Sequence, residues 1–182
     1  MSSERVMHLT ILKSLPAVCL AAALLASTAS AEPKTPAEPT PPAEEKMSDA
    51  SFAESFVGKT YEGNLGVEGW TSFGGGLVSP PIYVHRYQRE DGTFLVLTSK
   101  QTGKATYLVT DSLIVRKPRK GQHFTIACTQ GKDPMLRFMG VAKGSEEREW
   151  WADVRRVWEI SLETGEITKV KNKATKCANP AW

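Results

Sequence analysis

The chain has 182 residues, 41% of them hydrophobic, and 23 Lys+Arg against 20 Asp+Glu give it a formal net charge of +3. So small an excess argues against a dedicated nucleic-acid binder, and the length suits a single core preceded by accessory segments.

Read in chain order, Arg5 and Lys13 flank an apolar run, Leu15 to Ala26, that ends in Ala29-Ser30-Ala31. This is the pattern of a secretory signal peptide over residues 1–31. The run falls short of the ~20 apolar residues of a membrane span, so no transmembrane segment is expected after cleavage. Cys19 lies inside the run behind Val18, where a lipoprotein signal needs Gly, Ala or Ser, and is expected to leave with the leader. Residues 32–46 repeat proline every third position, at Pro33, Pro36, Pro39 and Pro42. Three residues is one turn of polyproline II, so this stretch reads as an extended, solvated spacer about 45 Å long at ~3.1 Å per residue.

Residues 47–182 then form one domain. Setting aside Arg5, Lys13, Lys34 and Lys46 with Glu4, Glu32, Glu38, Glu44 and Glu45 leaves it at net +4. Two of the three cysteines, Cys128 and Cys177, fall inside it. In an exported domain such a pair reads as a disulfide rather than a metal or catalytic pair, and the expected location is the periplasm or outside the cell.

Ser48 is placed to cap a short helix with Phe52 and Phe56 on one face and Gly58 at its end. Beyond it the pattern is strand-like: "PIYVHRYQ", "TFLVLTS", "KATYLVT", "SLIVRKP", "QHFTIACT", "PMLRFMGVA" and "VWEISL", then a hairpin around Gly165 in "LETGEITKV". About eight short strands separated by Gly, Asp, Asn and Pro signals predict an all-β domain, a small antiparallel barrel in preference to a sandwich. The final strand is expected to bulge or end near Asn172 before resuming towards Cys177, because Ile167 and Val170 differ in parity.

Alternation predicts one strand from about Trp150 to Leu162, with Trp150, Ala152, Val154, Trp158, Ile160 and Leu162 on the buried face. Trp151 then points outward beside charged neighbours and is a candidate ligand contact, although aromatic residues at this spacing are mostly packing. On "HFTIACT" the separation of five puts His123 and Cys128 on opposite faces, which disfavours a Cys–His dyad; Cys128 is expected beside Phe124 and Ile126. His85 lies between Tyr83 and Tyr87 in a row that could line a polar pocket or form an amphipathic surface.

There is no GxSxG elbow, HExxH or clustered His/Cys/acid set, so no catalytic residue, metal site or cofactor is assigned. The longest expected irregular segment, Gly63 to Pro81, carries Trp70 and Phe73 among six glycines, and is either a binding loop or a flap over the barrel end. Arg116, Lys117, Arg119 and Lys120 cluster at an expected turn. Lys169, Lys171 and Lys173 alternate near the C-terminus, where lysines also protect an exposed strand edge.

The function these residues suggest is a non-enzymatic exported binding module. It would recognise an envelope protein, glycan or anionic polymer through Trp70, Phe73, Trp151 and the basic cluster Arg116, Lys117, Arg119 and Lys120. A carrier holding a small apolar ligand between Trp150, Trp158 and Tyr107 is the alternative, and an envelope-glycan hydrolase using His85 with an acid is a third.

Overall fold

The computed structural model describes residues 47–180; the expected leader and spacer, with Cys19, lie outside the described residues. One helix, α1 (Asp49–Glu54), precedes eleven strands: β1 (Thr60–Glu62), β2 (Thr71–Ser79), β3 (Ile82–Gln88), β4 (Phe94–Gln101), β5 (Thr106–Val115), β6 (Gln122–Gln130), β7 (Asp133–Lys143), β8 (Trp150–Trp151), β9 (Asp153–Ile160), β10 (Ile167–Val170) and β11 (Thr175–Ala178). They form two antiparallel sheets, A in the order β1-β5-β4-β3-β2 and B in the order β10-β9-β7-β6-β11-β8. The fold is all-β, and the two sheets stack as a sandwich rather than closing into the preferred barrel.

The alternation of β3 and β4 dictates this layering. Ile82, Val84, Phe94 and Val96 face one way and pack with Val115 against Phe124, Met139, Val141, Trp158 and Ile160 of sheet B. Their neighbours Tyr87, Leu95 and Leu97 face the other way, and with Val109 they are covered by α1 and the connection after β1, through Ala53 and Val67. The centre of sheet A is therefore buried on both faces. Each large side chain so buried contributes about 1.5–3 kcal/mol relative to exposure.

Ser48 caps α1 by accepting from Ser51 N, and Phe52 and Phe56 meet edge to face at 5.2 Å. The glycine-rich segment is not one loop. Residues 63–70 pack over sheet A, and Thr71–Ser79 forms the edge strand β2. "KATYLVT" and "SLIVRKP" likewise merge into the single strand β5, because the Asp111 carboxylate finds partners inside the fold: its oxygens accept from Ser112 N and Ile167 N, both at 2.7 Å.

Sheet B rolls. Ala152 alone separates β8 from β9, yet β8 pairs with β11 while β9 pairs with β7 and β10. β10 and β11 thus run as one interrupted strand beside β8 and β9, and the break falls at residues 171–174. There Asn172 Nδ2 donates to Val154 O at 2.8 Å, and Ala174 takes a positive φ of 54°. The interruption expected near Asn172 is present. The roll encloses Phe138, Ala142, Trp151, Val154 and Val157 around Cys128 and Cys177, which are bonded at 2.05 Å.

Two irregularities interrupt the expected alternation. Arg156 pairs with Val141 while Val154 pairs with Ala142, so Arg155 is an extra residue; Ala152 then interrupts the strand again. Each slip moves the following side chains to the other face. The first turns Val154 to the face of Val157 and the second cancels it, so Trp151 keeps the face expected of it; that face lines the roll, and Trp151 is 2% exposed while Trp150 is 40% exposed. A register shift between Thr125 and Cys128 acts in the same way, so Cys128 lies in the roll while Phe124 and Ile126 belong to the core between the sheets.

Candidate binding site

A cleft of about 370 Å³ opens at the mouth between the two sheets, with Phe73, Arg86, Phe94, Lys117, His123 and Phe124 among its lining residues. Separate stretches of the chain converge on it. β3 supplies Arg86, the residue that breaks the apolar row begun by Ile82 and Val84. β2 supplies Phe73, the β5–β6 connection Lys117, and β6 His123 and Phe124. Phe94 and Phe124 are buried, with ring centroids 5.1 Å apart, and form an apolar floor.

Arg86 organises the mouth. Its guanidinium lies 4.9 Å from the Phe73 ring centroid. Its Nη2 donates to Phe73 O at 2.8 Å and its Nη1 to Phe124 O at 3.4 Å, bridging the two sheets. Burial pushes its pKa down from the usual arginine value, but an arginine so far above neutrality stays charged. No carboxylate pairs with it among the described residues, and no Asp or Glu lines the cleft. The cleft therefore joins an aromatic wall to an uncompensated positive charge. This suits an anion attached to a flat or apolar group.

Of the residues expected to bind, Phe73 and Lys117 meet here. Phe73 is 50% exposed. Arg116, Arg119 and Lys120 are exposed on the same connection without lining the cleft, and Lys169 on β10 and Lys171 and Lys173 in the break before β11 do not line it. Trp70 is not a free loop aromatic. It stacks on Phe52 at 6.0 Å and carries the Arg89 guanidinium at 5.0 Å. Arg89 in turn pairs with Asp49 at 2.9 Å and with Asp91 at 2.8 Å, and it holds the Asp91 carboxyl well below the usual carboxylate range. Trp151 is corrected from an outward contact to a buried one: its Nε1 donates to Ser145 O at 2.9 Å, and a Cβ at Gly144 would collide with its ring. Trp70→Ala is expected to cost about 2 kcal/mol, below the ~3–5 kcal/mol of a fully buried tryptophan. Phe73→Ala should cost about 1 kcal/mol or less. Urea unfolding of both variants checks the division between packing and recognition.

Sequence reading missed Arg86 and the placement of His123. The visible signal for Arg86 was a cation in register with Ile82 and Val84 on an apolar face.

On the outer face of sheet A, His85 Nε2 lies 2.8 Å from the Tyr61 hydroxyl and 3.3 Å from Ser99 Oγ, and those two oxygens are 3.0 Å apart. Among the described residues no acid lines the concavity around His85, and Trp150, Trp158 and Tyr107 lie on three different surfaces instead of around one cavity. Burial lowers the His85 pKa. Above the ordinary histidine pKa both the folded and the unfolded chain hold this ring neutral. As pH falls through that value the unfolded chain takes up a proton that the fold resists, so stability falls until folded His85 also titrates. Melting temperature should therefore drop between pH about 7 and about 5. The drop should be smaller in His85→Gln, which keeps an acceptor for Tyr61; equal drops in both proteins would clear His85 of the effect.

No protein-family model matches this chain, no curated protein matches it, and no solved structure matches its fold.

Proposed function

We propose that the protein is an exported, non-enzymatic binding module that takes an anionic envelope component into the cleft at the sandwich mouth. The observation that carries this reading is Arg86, a half-buried cation with an aromatic neighbour, Phe73, and no carboxylate partner among the described residues. A charge so placed keeps part of its hydrogen-bonding capacity for an incoming anion, and the water-poor surroundings strengthen that interaction. Lys117 and the exposed Arg116, Arg119 and Lys120 on the same connection add a field that speeds encounter with an anion. Export is supported by the leader pattern and by the Cys128–Cys177 bond, which belongs to an oxidising compartment.

Capture of a partner from an envelope extract by the mature chain tests the reading. Binding should weaken as salt rises, because the steering charges are screened. Lys117→Ala and Phe73→Ala should each weaken it several-fold, the first with the melting temperature nearly unchanged and the second with a fall of no more than about 5 °C. Capture that is indifferent to salt and to both substitutions would overturn the proposal.

A further inference from the structure

Sheet A carries a second concavity, of about 340 Å³, on the face opposite the sheet B core. Its shape follows from sequence. Gly74, Gly75 and Gly76 lie consecutively on β2, and Gly75 is the direct cross-strand neighbour of His85. A Cβ at Gly75 would collide with Val84 O, so the strand can run this close to β3 only without a side chain there. Three residues without side chains cut a notch into the edge of the sheet, and Tyr83, His85 and Tyr107 are left standing around it.

We propose that this notch is a binding site for an uncharged pyranose sugar. No Asp, Glu, Lys or Arg lines it. A charged ligand would lose its hydration there without gaining a partner. A purely apolar ligand would strand the Asn64 amide, the Ser72 hydroxyl and the strand backbone. β2 is the last strand of its sheet, so its N–H and C=O groups that face away from β3 have no ladder partner. Hydroxyl groups can donate to and accept from all of these. The C–H face of a sugar ring supplies the apolar surface that Tyr83 and Tyr107 would cover.

The rings are fixed before any ligand arrives. Tyr107 stacks on Tyr61 at 5.3 Å and meets Tyr83 edge to face at 5.2 Å, while Tyr61 is held by His85 and Ser99. Binding then orders little that is not already ordered, which lowers its entropic cost. The volume falls within the ~300–1,000 Å³ of small-ligand sites.

Titration of the mature chain with chitotriose and with maltotriose, followed by heteronuclear NMR, tests the proposal. At least one of the two should give saturable shifts at Gly74, Gly75 and Gly76, with an affinity that is the same in low and high salt. Tyr107→Ala should weaken binding about tenfold. Asn64→Ala, at an exposed position where the fold is indifferent, should weaken it about threefold. The proposal fails if neither sugar gives saturable shifts, if the shifts map to Phe73, Arg86 and His123 instead, or if binding is unchanged in both variants. Salt independence separates this outcome from that of the cationic cleft.

Discussion

Replacing Gly165 with alanine is expected to destabilise the protein by about 3 kcal/mol. Gly165 closes the turn between β9 and β10 at a φ of 78°, where an L side chain is strained. Its N–H donates to Ser161 O at 2.9 Å, and its carbonyl accepts from the buried Thr98 hydroxyl at 2.6 Å. Thr110 Oγ1 donates onward to Thr98 at 3.2 Å, and a new Cβ at 165 would fall on Thr110 Oγ1. Next to this contact, Ile167 N donates to Asp111 at 2.7 Å. The turn of sheet B is therefore bolted to β4 and β5 of sheet A by polar groups sealed inside the sandwich. Alanine adds backbone strain of ~1–3 kcal/mol and pushes apart a hydrogen bond whose loss costs about 1–3 kcal/mol when buried. Urea unfolding should show the midpoint falling with little change in slope. Thr98→Val, which removes the hydroxyl and keeps the shape, should cost less. If Gly165→Ala unfolds at the wild-type midpoint, the turn is not the bolt.

Removing the Cys128–Cys177 bond is expected to cost slightly more, about 4 kcal/mol. The two residues are direct cross-strand partners on β6 and β11, 49 positions apart in sequence, with Cα atoms 4.0 Å apart. Closing a loop of that length restricts the unfolded chain by roughly 4 kcal/mol in the chain-entropy picture. Both residues are fully buried in the roll. Space for them comes from Gly140, where a Cβ would approach Cys177 Sγ to 2.9 Å. Double replacement by alanine measures the effect without leaving reactive thiols, and thermal unfolding of the two proteins gives the difference. Native protein should also resist thiol labelling even with reductant present, and should label only once it is unfolded. Two freely titrating thiols in the native protein would contradict the bond.

Much of this fold is written locally. The alternation of "PIYVHRYQ" and "TFLVLTS" specifies strands with two buried faces, Ser48 and the Phe52–Phe56 pair specify the helix, and the parity conflict at Ile167 and Val170 marks the break before β11. Slips of one residue are not legible in this way. Arg155 and Ala152 are ordinary strand or turn residues in sequence, and only the ladder with β7 and β11 shows that the slip at Arg155 turns Val154 into the roll and that the roll covers the face of Trp151. The partition into two sheets is equally non-local, since Asp111 and Ser112 read as a turn until the partner at Ile167 is in place. The cleft combines Phe73, Arg86, Lys117 and His123 from stretches that no spacing rule connects, so only the two members with a visible chemical character, Phe73 and Lys117, were candidates beforehand.

The position of β11 bears on when the molecule can become itself. It is the last described strand to leave the ribosome, yet its neighbours β6 and β8 flank it on both sides. Until it arrives, sheet B has a gap where a ladder belongs and Cys128 has no mate. Sheet B and its covalent lock can therefore close only once β11 has been made.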